Sequence, residues 1–430
     1  MKGLVLSVLL CASTLSGQQA PIPAANGLGG NPFVIKHTWV IGGAGNWDYL
    51  TLDPAAGQLF IAHGQQVQVV DVATGSVAGT VRGFQEAHQI ALDDTGEFAY
   101  VSDGLADLVR VVDRRTFEVV ASIPTGPSPR ALTLDPSTGL LFVICSGQQG
   151  ESPAVAPEGT ERRNTPDHSP HLPSSSRTAA AIPSISTLTI IDSQKRKPLA
   201  SIWINGRLGF AQADGAGDVY VAVKDRNQIV RLSAQTVAAA TENLPQTARS
   251  GQNGKIAPTF AKTPSLDWTG IRLPPPAGSK PRFLPIGQGC QSPQGLAVDA
   301  RAARLFVACG NQKMAVVNAD NGEQVAAFTI GPGAESIAYD ADRGLIFTAN
   351  GGGYGSVTII HRDVTDAYTV VQNLPTLQQA RTMAVNPSNG EVYVVTTLYG
   401  ANLANPPMNG LGTLKLNPVE GSFQVLVIGN

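Results

Sequence analysis

Residues 295–311 read GLAVDARAARLFVACGN and contain the pattern that decides the fold. An apolar segment ends at Asp299, a short polar turn follows, and a second apolar segment runs from Leu305 to Ala308. Aspartate suits the end of the first segment because its side chain accepts hydrogen bonds from backbone N–H groups two residues on. The stretch therefore predicts two short buried strands joined by a tight turn.

The same apolar segment, ending in Asp or Asn, occurs seven times along the chain. The copies end at Asp53, Asp93, Asp135, Asp214, Asp299, Asp340 and Asn386. Subtracting these positions gives spacings of 40, 42, 79, 85, 41 and 46 residues, so four of the six lie near one period of about 42. Each period also contains a third and a fourth apolar segment, for example 110–113 and 118–123. Four short strands per period are typical of one β-propeller blade.

These repeats predict an all-β fold, a seven-bladed β-propeller of four-stranded antiparallel blades that forms a single domain over residues 34–430. A blade cannot bury both of its faces alone, whereas seven blades in a closed ring pack each sheet on the next. Phe33 to Ile41 and Phe423 to Ile428 are spare strand-like segments at the two ends of the repeats. We expect one or both of them to pair in the last blade and close the ring.

Composition excludes several classes of protein. The 430 residues are 43% hydrophobic, which is enough to build a core, and the 46 glycines and 30 prolines favour many tight turns. Charged residues make up 14% of the chain and the net charge is −2. Since no basic surplus is present to hold a polyanion, no nucleic-acid partner is expected.

The first residues predict export. Lys2 is followed by an uninterrupted run of apolar and small residues from Leu4 to Ala12 and then by small and polar residues. This layout is typical of a secretory signal peptide, here residues 1–20, and predicts a secreted or periplasmic protein. About nine apolar residues are too few to cross a bilayer, which needs roughly 20. A lipoprotein acylated at Cys11 is the alternative, although Leu10 before it is not small. No transmembrane segment is expected elsewhere.

Three insertions interrupt the repeat, at residues 146–185, 243–281 and 398–411. The first and third are expected to join strands two and three of their blades. The second is expected between strand four of blade four and strand one of blade five. All three would then lie on the top face of the propeller, where binding sites usually lie. Long loops of this kind are usually functional or disordered.

Several repeat units carry a more specific resemblance. The segments Ala-Tyr-Val-Ser-Asp103, Leu-Phe-Val-Ala-Cys-Gly-Asn311 and Gly-Glu-Gln-Val-Ala-Ala-Phe-Thr-Ile-Gly331 resemble the YVTN-type β-propeller repeat family, which includes the exported YncE-like proteins. The similarity covers about residues 34 to 430 apart from the insertions, with the Tyr-Val-Thr-Asn consensus blurred in every blade. The resemblance implies a propeller fold. It leaves the activity open, because the family contains binding and surface proteins and related propellers include lactonases and a quinoprotein dehydrogenase subunit.

Polar residues at the strand ends predict a ligand site around the top of the central channel. Each of these residues lies at the start of a first strand or at the end of a second strand. Arg207, Glu335 and Asn350 take the same kinds of position. The candidate ligand-binding residues are Trp47, Asp48, His63, His88, Asp103, Arg130, Lys224, Asn311 and Arg381. Such a ring could bind an anionic or polar ligand. The alternative is a hydrated polar lining whose members pair with one another.

The histidines are the candidates for catalytic chemistry. His63 and His88 are expected on the same face of adjacent blades with Asp103 nearby, and two imidazoles with a carboxylate could hold a metal or perform acid–base work. No local ligand spacing joins them, and the chain has no nucleophile elbow, nucleotide loop or haem attachment motif. We therefore predict no catalytic residue, no metal and no cofactor, and leave open whether the protein is an enzyme.

The cysteines predict one disulfide bond. Cys290 precedes strand one of blade five and Cys309 ends strand two, so an up-and-back hairpin brings both to one edge. In an oxidising compartment we expect a Cys290–Cys309 bridge. Cys145 is left as a buried thiol at a strand end.

Together these observations predict an exported, monomeric binding or interaction propeller. Its loop-rich top face would present a site to a protein, glycan or small-molecule ligand. A propeller lactonase or lyase is the first alternative, and a scaffold subunit of a periplasmic redox complex is the second.

Overall fold

Seven four-stranded antiparallel sheets make up the protein in the computed structural model, which describes residues 31–43, 45–146, 184–242, 282–364, 366–401 and 416–430. The sheets form a seven-bladed propeller, as the repeats predicted. The signal peptide at residues 1–20 lies outside the described residues and stays a prediction.

The strands follow the chain blade by blade, after β1 (Val34–Val40). Blade one contains β2 (Trp47–Asp53), β3 (Gln58–His63), β4 (Gln66–Asp71) and β5 (Ser76–Arg82). Blade two contains β6 (Ala87–Leu92), β7 (Phe98–Asp103), β8 (Leu108–Asp113) and β9 (Glu118–Pro124). Blade three contains β10 (Pro129–Asp135), β11 (Leu140–Cys145), β12 (Ile185–Asp192) and β13 (Lys197–Asn205). Blade four contains β14 (Leu208–Ala213), β15 (Asp218–Val223), β16 (Gln228–Ser233) and, after helix α1 (Ala234–Glu242), β17 (Arg282–Pro285).

The remaining blades complete the ring. Blade five contains β18 (Pro293–Asp299), β19 (Arg304–Cys309), β20 (Lys313–Asn318) and β21 (Gln324–Thr329). Blade six contains β22 (Ala334–Asp340), β23 (Leu345–Asn350), β24 (Ser356–Arg362) and β25 (Tyr368–Pro375). Blade seven contains β26 (Met383–Val385), β27 (Val392–Thr396) and β30 (Gln424–Gly429) with β1. A small extra hairpin, β28 (Tyr399–Ala401) with β29 (Leu416–Pro418), projects between β27 and β30.

The two chain ends close the ring together. β30 lies between β27 and β1 in blade seven, with Val34 opposite Gly429 and Val40 opposite Gln424. Both spare terminal segments therefore pair in the last blade, as expected. The antiparallel ladder between them leaves the last sheet with four strands, although its strands come from opposite ends of the chain.

The repeated aspartates have the capping role that the sequence predicted. The Asp53 carboxylate accepts hydrogen bonds from the backbone N–H groups of Ala55 and Ala56, both at 3.1 Å. Asp299 accepts bonds from the two equivalent residues of its own turn, at 3.1 and 3.2 Å. These bonds satisfy the backbone donors of the turn between the first and second strands.

The hydrophobic core lies between adjacent blades. In one cluster, Phe60 and Ala62 of blade one pack with Ile90 and Val101 of blade two. Phe60 is the third residue of its strand, and Phe142, Phe306 and Phe347 take the same place in β11, β19 and β23 with no exposed surface. Burying one such ring contributes roughly 1.5–3 kcal/mol, so the blade contacts stabilise the whole ring. Among the described residues, no helix is long and apolar enough to cross a membrane.

The position of residues 243–281 differs from the prediction. They separate β16 from β17, which are the third and fourth strands of blade four, instead of following the fourth strand. The reason is that the Ala-rich stretch after Ser233 forms a helix, for which alanine has the highest propensity. The fourth strand is therefore supplied by the short segment Arg282–Pro285, which carries no strand alternation.

This change alters how the insertions are distributed. The first strands begin, and the second strands end, at one face of the ring, which we call the top face. Residues 147–183 and 402–415 lie outside the described residues, and the chain reaches both of them from a second strand, whose end is at this face. The chain enters α1 at the opposite face, since Ser233 pairs with Asp218 at the start of β15. The described residues that lead into 147–183 and 402–415 therefore lie at the top face, whereas those that lead into 243–281 begin at the opposite face.

Candidate functional site

A β-bulge near the start of the first strand recurs in six of the seven blades. In blades three, five and six, the register of the first two strands skips Arg130, Gln294 and Glu335. In blades one, two and four it skips two residues, the first of which are Asp48, His88 and Gly209. A bulge turns a side chain out of the regular ladder. In these six blades the bulged position thus lies at the top-face end of the first strand.

In blade four this position is a glycine, and a neighbouring lysine takes the vacant space. A Cβ atom on Gly209 would lie 2.5 Å from Cε of Lys224, which follows β15 at the top face. In blade seven, Arg381 lies just before the first strand. We call the resulting ring the channel mouth, formed by Asp48, His88, Arg130, Lys224, Gln294, Glu335 and Arg381.

One side of the channel mouth is neutralised by ion pairs. His88 is buried between two carboxylates, with Nδ1 at 2.8 Å from Oδ2 of Asp48 and Nε2 at 3.2 Å from Oε2 of Glu86. Nε of Arg381 lies 2.6 Å from Oε2 of Glu335. Burial raises the pKa of Glu335, while Arg381 opposes that rise. In this arc, which spans blades six, seven, one and two, the charged side chains form ion pairs with one another.

The other side is basic. Arg130, Arg207 and Lys224 form no ion pair with another described residue. We call these three residues the basic arc. Burial lowers the pKa of Lys224, and the nearby Arg207 and Arg130 lower it further, while Glu335 and Asp48 across the mouth oppose them. The channel mouth therefore has one side with close ion pairs and a basic side without them, where Glu335 and Asp48 act on Lys224 only from across the mouth.

Two aromatic rings meet below the charged residues. Tyr49 of blade one and Phe210 of blade four have ring centroids 5.3 Å apart, a contact that has to cross the channel because the blades lie on opposite sides of the ring. Both line a cavity of about 320 Å³ between the first strands. Burial raises the pKa of Tyr49 well above its usual range, and Asp48 and Glu335 raise it further. The aromatic pair thus lies next to the channel mouth, since Tyr49 directly follows Asp48 in the chain and Phe210 directly follows Gly209.

Two predicted ligand residues have structural roles. Asp103 is fully buried and accepts hydrogen bonds from the backbone N–H groups of Gln85 and Glu86, both at 2.9 Å, and from Nε of Arg110 at 3.1 Å. Asn311 is exposed, accepts a bond from the Gln291 backbone, and donates one to a nearby carbonyl. Both side chains hold the loop that enters their own blade.

Trp47 and His63 lie in a separate pocket where the ring closes. Trp47 packs on Phe423 at 5.4 Å between ring centroids, and His63 packs on the same ring at 4.0 Å. Nδ1 of His63 lies 2.7 Å from Oε1 of Gln68, and burial lowers the pKa of His63. With Thr397 and other residues, these rings line a cavity of about 290 Å³ that we call the seam pocket.

The two histidines therefore belong to different sites. His63 contacts Gln68 and Phe423, whereas His88 contacts Asp48 and Glu86. Within the described part of the chain, no three His, Cys, Asp or Glu side chains are grouped so that they could hold a metal ion. The His63–His88–Asp103 combination considered in the sequence does not form.

The cysteines are arranged as expected. Cys290 and Cys309 are joined by a disulfide bond, with Cα atoms 5.5 Å apart. Cys145 is a buried free thiol, and burial raises its pKa to about 11. The bridge ties the loop before blade five to the end of its second strand.

The structure thus brings together Asp48, His88, Arg130, Lys224 and Arg381, five of the nine predicted ligand residues. The sequence reasoning missed Gln294, Tyr49 and Phe210. Gln294 occupies the same place in its repeat as Arg130 and Glu335, so aligning the seven first strands would have found it. Tyr49 and Phe210 each follow the bulge position by one residue, but only the closed ring shows that they meet.

Comparisons with known proteins support the fold. No family model matches the chain, and no curated protein matches it. Among solved structures, the chain is similar to U3-55K, with a TM-score of 0.58, 8% identity, and coverage of 90% of this chain and 97% of that chain. It is also similar to the WD40 repeats of RRP9, with a TM-score of 0.58, 9% identity, and coverage of 91% and 96%. A chain of a mitotic checkpoint complex gives a TM-score of 0.56, 12% identity, and coverage of 92% and 96%. These neighbours are WD40-type propellers, and at such identities they establish the fold alone.

Proposed function

We propose that this protein is an exported interaction propeller that binds a partner protein on its top face. The observation that carries the proposal is Tyr354, whose side chain is 94% exposed on the top loop between β23 and β24. Leu105, Leu398 and Val419 are also exposed on top-face loops. Aromatic side chains are enriched at protein–protein interfaces relative to the rest of the surface, and a few of them carry most of the binding energy.

Two further observations support this reading. The structural neighbours include a propeller that is solved within a mitotic checkpoint complex, an assembly of proteins. The Cys290–Cys309 bridge supports export, because disulfides persist mainly in oxidising compartments. YVTN-type membership, which the repeats suggest, is consistent with an exported propeller. The separation of His63 from His88 gives no support to a lactonase-like site, and no described feature favours a redox scaffold.

Site-specific photo-crosslinking tests the top face directly. Blade six offers a matched pair of positions, since Tyr354 lies at its top and Val364, fully exposed, lies at its bottom. A benzophenone amino acid placed at 354 in the producing cells should give a discrete adduct with one partner, and the same group at 364 should not. Tyr354→Ala should then weaken binding of the purified partner by at least about tenfold, as expected for an aromatic hot spot. Equal adducts from both positions, or none from 354, would contradict the proposal.

A further inference from the structure

The uneven distribution of charge around the channel mouth has a chemical consequence. Asp48 and Glu335 each have a basic partner within 3 Å, while the three cations of the basic arc have none among the described residues. Like charges held close together raise the free energy of the folded state unless a counter-charge balances them. Glu335 and Asp48 act on Lys224 from across the mouth, but each is already paired with another basic residue. The basic arc therefore favours an added anion.

Local geometry keeps these cations together. The backbone N–H of Lys224 donates a 2.8 Å hydrogen bond to the carbonyl of Arg207, so the two side chains leave adjacent points of the backbone. Asp225 is engaged in holding the loop, since its Oδ1 accepts the Arg207 backbone N–H at 2.7 Å. The side chain of Lys224 extends over Gly209, and Arg130 is the bulged residue of the neighbouring blade, near enough to lower the pKa of Lys224. Lys224 thus packs over Gly209, while the side chains of Arg130 and Arg207 are exposed at the top face.

The surroundings strengthen an electrostatic interaction at this point. Lys224 is half-buried, and the lowered pKa of its ammonium reflects lost hydration. The Tyr49–Phe210 pair below the mouth presents apolar rings in place of bulk water. Because Coulomb interactions grow stronger as the local dielectric constant falls, an anion at the mouth would bind more strongly than at an open surface.

We propose that the basic arc, formed by Arg130, Arg207 and Lys224, binds an oxyanion group, a carboxylate or a phosphate, at the channel mouth. The inference rests on the proposed function, because the group would belong to the partner or to a ligand bound with it. Arginine suits this chemistry since its planar guanidinium donates two parallel hydrogen bonds to such groups. Lysine adds a compact point charge.

Calorimetric titration of the full-length purified protein with citrate and with inorganic phosphate, at constant ionic strength in chloride, tests the site. We expect saturable binding of one anion per chain by one or both probes. Lys224→Met, which keeps the length of the side chain without its charge, should lower the affinity at least about tenfold, an effect equivalent to about 1.4 kcal/mol. Arg115→Gln is the matched control, because Arg115 is 84% exposed in the turn between β8 and β9 on the opposite face. It should leave the affinity within about twofold.

The outcomes separate the possible explanations. Tight citrate binding with weak phosphate binding would identify a carboxylate, and the reverse would identify a phosphate. The absence of saturable binding by wild-type protein would overturn the inference, as would equal loss in Lys224→Met and Arg115→Gln. Thermal unfolding of each variant verifies that it is folded. Crosslinking at position 354 does not depend on the basic arc, so an adduct there without anion binding would reject this inference and leave the proposed function intact.

Discussion

We call the top-face end of the hairpin formed by the first two strands of a blade its upper corner. The upper corners of blades three and five have the same backbone conformation but different cysteine chemistry. In both, a proline opens the first strand opposite a cysteine that ends the second, Pro129 with Cys145 and Pro293 with Cys309. The preceding residue is a serine with a φ of 53° in each blade. Its backbone N–H donates to a side chain of the blade before, Asp107 or Asn227, at 2.8 Å in both cases.

The difference that concerns the cysteines lies three residues before the proline. Blade five has Cys290 there, bonded to Cys309, and blade three has Gly126 beside the free thiol of Cys145. The Cys145 sulfur lies 3.5 Å from the Thr189 hydroxyl oxygen instead of in a bridge. The repeat therefore fixes the geometry of the corner, while a single residue decides whether it is cross-linked.

Removing the bridge of blade five should have the largest effect on this comparison. We expect Cys290→Ala/Cys309→Ala to lower the free energy of unfolding by about 3 kcal/mol, because a bridge across 19 positions no longer constrains the unfolded chain. Urea unfolding followed by tryptophan fluorescence measures the change. Cys145→Ala serves as the control that removes a thiol without removing a bridge. A double variant as stable as the wild-type protein would show that the bridge is energetically unimportant.

Adding the missing cysteine should make blade three resemble blade five. A Cβ atom on Gly126 would lie 3.2 Å from Cβ of Cys145, close to the separation of about 3.8 Å in disulfides. It would also lie 2.7 Å from the Thr187 hydroxyl, so Gly126→Cys is best combined with Thr187→Ala. We expect a second bridge and a gain of about 2–3 kcal/mol in the oxidised protein relative to its reduced form.

Peptide mapping under non-reducing conditions detects the new bridge, and urea unfolding with and without reductant measures its effect. Thr187→Ala alone is the control for the lost hydroxyl. If the thiol introduced by Gly126→Cys and that of Cys145 both stay reduced under oxidising conditions, the two corners are less alike than their backbones indicate.

The free thiol of blade three should make stability depend on alkaline pH. Because burial raises the pKa of Cys145 to about 11, the neutral thiol is fully favoured below about pH 8.5, the ordinary value of the unfolded chain. As the pH rises from there towards 11, this contribution is lost. At pH 10 we expect the wild-type protein to have lost roughly 2 kcal/mol more stability than Cys145→Ala, relative to pH 7.

Urea unfolding of both proteins at the two pH values measures this difference. Iodoacetamide labelling of Cys145 in the native protein should rise steeply over the same range, because only the thiolate reacts. Rapid labelling at pH 7 would show that Cys145 is accessible and ionised, in contradiction to its burial.

The fold was predictable because each blade corresponds to one copy of a pattern that can be recognised in the sequence. The apolar segments that end in Asp or Asn predicted the first strands, their turns and the number of blades. The spare segments at the two ends predicted the closure of blade seven, and the positions of Cys290 and Cys309 predicted the bridge. These features depend on side-chain alternation and on contacts within one hairpin, both of which are local.

Only the tertiary structure decided which polar residues share a site. In the sequence, Asp103 and His63 were candidate ligand residues just as Asp48 and His88 were. In the structure, Asp103 is a buried residue that caps a loop, and His63 lines the seam pocket. The helix after Ser233 moved residues 243–281 to a different connection. Convergence at the channel mouth depends on β-bulges and on the closure of seven blades around one axis, which relate residues far apart in the chain. No single repeat contains that information, because a repeat specifies its own strands and not the neighbours that it will face.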